Sequence, residues 1–151
     1  MASVARPTVL ILCTGNSARS QMAEGLLRSK AGDQLEVISA GTEPADRVNP
    51  HAIEAMREIG IDIRAARPKD AAELLGRVPV HHLITVCDDA DRRCPSVRPG
   101  VVSRTHWSIE DPAAFRGESS AALAKFRQVR EELSRRLDQW LADHHVTSRS
   151  N

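Results

Sequence analysis

Tyrosine is missing altogether from this 151-residue chain, and only four other aromatic residues occur: Trp107, Phe115, Phe126 and Trp140. So few rings leave no stacking platform for single-stranded nucleic acid. An excess of one charge is missing too. Lys and Arg total 21 against 20 Asp and Glu, a net charge of +1, which argues against a general nucleic-acid or membrane-surface binder. Cysteine is scarce: Cys13, Cys87 and Cys94 are an odd, small set and make no disulfide framework. No segment approaches the roughly 20 apolar residues of a membrane span. The short run Val9-Leu10-Ile11-Leu12 is too brief for a signal-peptide core and ends at Cys13-Thr14-Gly15. These absences predict a cytoplasmic protein whose thiols start reduced. What is present is a globular mixture, 41% hydrophobic and 27% charged, in a length that fits one domain over 1–151. Its ordered core is expected over about 7–143, followed by a polar tail, 144–151, that frays.

Short apolar runs alternate with amphipathic stretches. Thr8 to Leu12 reads as a strand buried on both faces, and Ser20 to Lys30 as a helix with Met22, Leu26 and Leu27 on one side. Leu35 to Ser39 is a second strand. Asn49-Pro50 is a helix start, an N-cap before a proline, and Gly60 stops that helix. Asp70 to Leu75 reads as a brief helix, His82 to Val86 as a third strand, and Gly100 to His106 holds a fourth. Ser120 to Ala142 is a long helix whose apolar positions, Leu123 to Trp140, keep a helical period broken only by Arg130. Such alternation predicts an α/β fold, a three-layer arrangement with a four-stranded parallel sheet and helices on both faces. Ligands of these sheets sit beyond the carboxyl ends of the strands. Cys13 and Cys87 both lie at such ends.

The segment Cys13-Thr14-Gly15-Asn16-Ser17-Ala18-Arg19-Ser20 joins the first strand to the first helix. Gly15 and Asn16 tolerate left-handed backbone angles, so the loop can curl with its amide N–H groups inward. Amides gathered at a helix start bind an anion and favour a thiolate, which makes Cys13 a candidate nucleophile. Arg19 offers a planar fork for two oxygens of a tetrahedral oxyanion. Ser20 can donate to the Cys13 sulfur. The candidate substrate-binding set is therefore Thr14, Gly15, Asn16, Ser17, Ala18, Arg19 and Ser20.

The strand with CTGNSARSQMAEG, together with SAGTEP (39–44), VNPHAIEAMREIGIDI (48–63), ITVCDDADRRCP (84–95) and HWSIEDPA (106–113), resembles the low-molecular-weight protein tyrosine phosphatase superfamily. More closely it resembles the thioredoxin-coupled arsenate reductases built on that fold. The resemblance implies arsenate as substrate, with phosphate or sulfate as mimics, no tightly bound cofactor, and thioredoxin or another external dithiol as reductant; a monomer is expected. It makes Cys13 the nucleophile, Arg19 the oxyanion grip and Asp111, which precedes Pro112, the general acid. It implies a relay in which Cys87 attacks the Cys13 adduct and Cys94 then attacks Cys87. A phosphatase acting on phosphate esters or phosphotyrosine, using Cys13, Arg19 and Asp111 alone, is the alternative. Tyrosines commonly follow the Asp-Pro of such phosphatases, whereas Ala113 and Ala114 follow here. An oxyanion sensor without turnover is a further alternative, as is zinc held by the cysteines with His81, His82 or His106. The resemblance also suggests a weak monovalent-cation site at Asn16, Glu24 and Ser39. The stretch Arg64 to Asp70 departs from the potassium-binding pattern. There Arg67 and Lys69 oppose a cation, and Asp70 is a further candidate ligand.

Overall fold

The computed structural model describes residues 6–93 and 101–147. Four strands form one sheet: β1 (Thr8–Cys13), β2 (Glu36–Gly41), β3 (His82–Thr85) and β4 (Ser103–His106). Their order is β2-β1-β3-β4 and every pairing is parallel. The helices are α1 (Arg19–Ala31), α2 (Pro50–Arg57), α3 (Ala71–Leu75), α4 (Asp88–Arg93) and α5 (Ser119–Asp143), with a 3-10 turn at Pro112–Ala114. The expected α/β architecture is therefore the one found. The segment from Cys87 towards Cys94, whose resting shape the sequence left open, is helical as far as Arg93. Cys94 lies outside the described residues, as do 148–151.

The central position of β1 follows from its composition. All six of its residues are buried, as an uninterrupted apolar run requires. α1, α2 and α5 pack on one another, while α3 packs on β2 and α4 on β1 and β3. Phe126, Val129, Leu133, Leu137 and Trp140 form the buried stripe of α5. Arg130, the polar interruption in that stripe, reaches across to α2, donating to the Ala55 carbonyl at 2.7 Å and to Glu58 at 2.9 Å. An arginine can take an inward position when its head finds such partners.

The chain moves one way from β1 to β2, then back across β1 to β3 and β4. That reversal puts a topological switch point between the carboxyl ends of β1 and β3. Cys13 ends β1, and Cys87 lies just past β3. At the far end of α5 the residues just past the helix are capped. His145 takes φ +58°, the N–H groups of His145 and Val146 donate to the carbonyls of Ala142 and Leu141, and the His144 ring stacks on Trp140 at 4.0 Å. A left-handed residue with this bond pair closes a helix and satisfies its last carbonyls.

Candidate active site

Six consecutive carbonyls of the nucleophile loop are tied down, four by the segment after β2 and two by the first turn of α1. Those of Cys13, Thr14, Gly15 and Ser17 accept from the amides of Thr42, Glu43, Ala45 and Asn49 at 2.8–3.2 Å. The Asn16 carbonyl accepts from Gln21 Nε2 at 3.2 Å, and the Ala18 carbonyl from Met22 N–H at 2.9 Å. In a trans peptide N–H and C=O point opposite ways, so fixing the carbonyls outward turns the loop amides to the concave side. The Asn16 amide shows this, donating to Cys13 Sγ at 3.1 Å. Such a cradle suits a tetrahedral oxyanion.

Of the two residues expected to tolerate left-handed angles, only Asn16 uses one, at φ +50°. The glycine that the loop cannot do without lies elsewhere. A Cβ on Gly41, the last residue of β2, would stand 2.4 Å from the Thr14 carbonyl oxygen and 3.0 Å from the Asn16 nitrogen. The sequence reading ended the second strand at Ser39 and missed both this close approach and the main-chain fastening by 42–49. The SAGTEP segment carried the signal, but its contribution is through backbone atoms that no side-chain type announces.

Cys13 is 2% exposed. Burial pushes its thiol above the ordinary value; the Ser20 hydroxyl, the Ser20 and Asn16 amides and Arg19 pull the other way. The contacts expected to favour a thiolate are thus present, and desolvation outweighs them. Ser20 Oγ lies 2.8 Å from the sulfur and accepts from Asn16 Nδ2 at 2.7 Å. Arg19 is held by its NH1 on the Ile109 carbonyl at 2.9 Å. Its NH2 lies 3.8 Å from Asp111 Oδ2. Asp111 Oδ1 accepts from the Ala113 amide, so the aspartate also caps its own 3-10 turn.

Cys87 and the loop meet through Thr14, whose Oγ1 is 3.3 Å from Cys87 Sγ. Cys87 Sγ also accepts from the Ala90 amide at 3.4 Å, at the start of α4. The structure thus brings Cys13, Arg19, Cys87 and Asp111 to one mouth. His81 and His82 lie at the entry of β3, where His81 Nδ1 accepts from the Thr8 amide and His82 bonds Ser103. His106 lies at the exit of β4, about 10 Å along the sheet from His82. These histidines do not converge, and among the described residues no group of three or more His, Cys, Asp and Glu could hold a metal ion.

Asn16, Glu24 and Ser39, the expected cation ligands, do come together, joined to one another by hydrogen bonds. Asn16 Nδ2 donates to Ser39 Oγ at 2.9 Å, and Ser39 donates to Glu24 Oε1 at 2.8 Å. Asp70 caps α3 through the Ala72 amide instead of turning to this site.

The model of the low molecular weight phosphotyrosine protein phosphatases matches residues 8–149. The chain belongs to this family. Within the family, the chain is 41% identical over 137 residues to an arsenate reductase of Bacillus licheniformis, covering 89% of the chain and 94% of that protein. A solved arsenate reductase in a phosphate-binding state is 30% identical with a TM-score of 0.71, over 91% of this chain and 98% of that one. A thioredoxin-dependent arsenate reductase of Corynebacterium glutamicum is 28% identical with a TM-score of 0.65, over 91% of this chain and 65% of that one. Among the described residues no helix is long and apolar enough to cross a membrane.

Proposed function

We propose that this protein reduces arsenate to arsenite with electrons from its own thiols. The observation that carries the reading is the meeting of a second cysteine with the nucleophile loop through the Thr14–Cys87 contact. Ester hydrolysis needs one nucleophile and water, whereas reduction of As(V) needs two electrons, hence two thiols. The similarity to arsenate reductases at about 40% identity supports the same conclusion.

Arsenate sits in the loop amides, gripped by Arg19, as phosphate or sulfate would. Cys13 attacks arsenic and an oxygen departs as water, protonated by Asp111, whose carboxyl lies beside Arg19. Cys87 as thiolate then attacks Cys13 Sγ. The sulfur–sulfur bond forms, the sulfur–arsenic bond breaks, and its electron pair stays on arsenic, now As(III). Cys94 attacks Cys87 and returns Cys13 as thiolate. An external dithiol reduces the Cys87–Cys94 disulfide; thioredoxin fits, as in the C. glutamicum relative. The relay uses one chain, so a monomer suffices, and its resting thiols suit a reducing cytoplasm.

Arsenate-dependent NADPH oxidation, measured with thioredoxin and thioredoxin reductase, tests this. Wild type should turn over, and Cys94→Ser should fall by at least about 100-fold while still completing a single reduction that leaves Cys13 joined to Cys87. Hydrolysis of p-nitrophenyl phosphate without arsenate turnover would make the protein a phosphatase instead.

A further inference from the structure

Behind the nucleophile loop lies a polar network out of reach of solvent. Asn16, Ser20 and Ser39 are 0% exposed and Glu24 is 6% exposed. A carboxylate buried to that degree requires compensating charge. The bonds run outward from the Asn16 amide in two branches, one to Ser39 and on to Glu24, the other to Ser20 and on to the Cys13 sulfur. The orientation of the Asn16 amide is fixed, because its Oδ1 accepts the Lys69 N–H at 2.8 Å. Glu24 is therefore the last acceptor of one branch, and the nucleophile lies at the end of the other, with Asn16 between them.

Two cations meet Glu24. Arg28 NH1 lies 3.3 Å from Oε2, and Lys69 Nζ lies 3.7 Å from Oε1. Lys69 Nζ also donates to the Arg67 carbonyl at 3.2 Å. The ammonium thus stands between a buried carboxylate and a main-chain carbonyl, oxygens of the kind a dissolved cation would seek. We propose that Lys69 is a positioning residue: its tethered ammonium supplies the positive charge that holds the Glu24–Ser39–Asn16–Ser20 network behind Cys13, so the loop needs no dissolved potassium. This inference rests on the loop geometry and not on the reductase reading.

The claim is separable because the backbone of Lys69 does other work. Its N–H serves Asn16 and its carbonyl accepts from the Gly41 amide at 2.8 Å, and both bonds survive a side-chain change. Lys69→Met removes the ammonium, and with it the bond to the Arg67 carbonyl, while keeping an unbranched side chain of similar length. A groove lined by Gly25, Arg28, Ile38, Ile61 and Ala66 opens beside Glu24 and Lys69, giving a small ion a route to the vacated place.

The test is phosphate binding by calorimetry in choline chloride and in potassium chloride at equal ionic strength. Wild type should bind equally in both. Lys69→Met should bind about three- to ten-fold more weakly in choline and recover in potassium. Lys69→Arg should bind as wild type without potassium. Melting temperatures in the two salts give the same comparison if phosphate binding is too weak to measure. The proposal is overturned if Lys69→Met matches wild type in choline, if potassium repairs none of its deficit, or if wild type itself gains from potassium. Arsenate turnover enters none of these measurements, so a failed reductase reading would leave the result standing.

Discussion

Cys13 carries two opposed influences, and the balance between them is set by single atoms. Burial raises the thiol, and the Ser20 hydroxyl is the largest of the influences that lower it. The Ser20 hydroxyl oxygen accepts from Asn16 Nδ2, and its own proton goes to the sulfur when that sulfur is a thiolate, which has only lone pairs to offer. A hydrogen bond to a charged group is worth about 1.5–3 kcal/mol, and 1.4 kcal/mol is tenfold in an equilibrium. Ser20→Ala should therefore slow alkylation of Cys13 by iodoacetamide at pH 7 by about ten-fold or more. It should also move the rise of the rate with pH to higher pH, because a thiol deprived of its donor ionises later. Peptide masses after timed quenching follow the reaction at Cys13 alone. A profile that superposes on wild type would show that Ser20 leaves the thiolate untouched.

Between elements, the contact most exposed to pH is the seam of α2 and α5. Glu58 follows the last residue of α2 and accepts from Arg127 and Arg130 of α5. The Arg127 bond, followed by that of Arg130, lowers its carboxyl from 4.5 to about 2. A depressed carboxyl stabilises the fold above its unfolded value and loses that contribution as pH falls through the folded one. Glu58→Gln should lower Tm by about 1–3 °C at pH 7, a modest figure because the pair faces solvent. The gap to wild type should close between pH 4.5 and pH 2. A gap that persists unchanged at pH 2 would assign it to lost packing instead. This seam also marks what a sequence can disclose. The period of α5 was legible, and so was the oddity of Arg130, but not its partner, since Ala55 and Glu58 reach it only once two distant helices are packed. β1 and the loop after it were legible for the opposite reason, because their signals are local: an apolar run, then Cys13, Arg19 and Ser20 at fixed spacing. Gly41 was not, and Lys69 was legible only as a charge opposed to a cation, without its partner Glu24. What each does depends on where β2 and the 64–69 stretch come to rest against Asn16, which spacing along the chain does not encode.

For the molecule as a whole, net charge +1 means that anions have no broad positive field to screen or fill. Any anion that stabilises the fold markedly must do so at a built site, and the cradle of loop amides with Arg19 is such a site. A ligand that binds only the folded chain adds RT ln(1 + [L]/Kd), about 1.4 kcal/mol at ten times Kd. For a domain of this length each kcal/mol moves Tm by about 2–4 °C. Phosphate at that concentration should therefore raise Tm by about 3–6 °C, and arsenate, with the same charge and nearly the same shape, by a similar amount. Chloride at matched ionic strength should do far less. Arg19→Ala should lose most of the rise, because the fork that spans two oxygens is gone while the amides remain. Calorimetric melts of the two proteins in the three salts decide it. An equal rise in Arg19→Ala, or an equal rise with chloride, would put the anion somewhere other than the loop that presents Cys13.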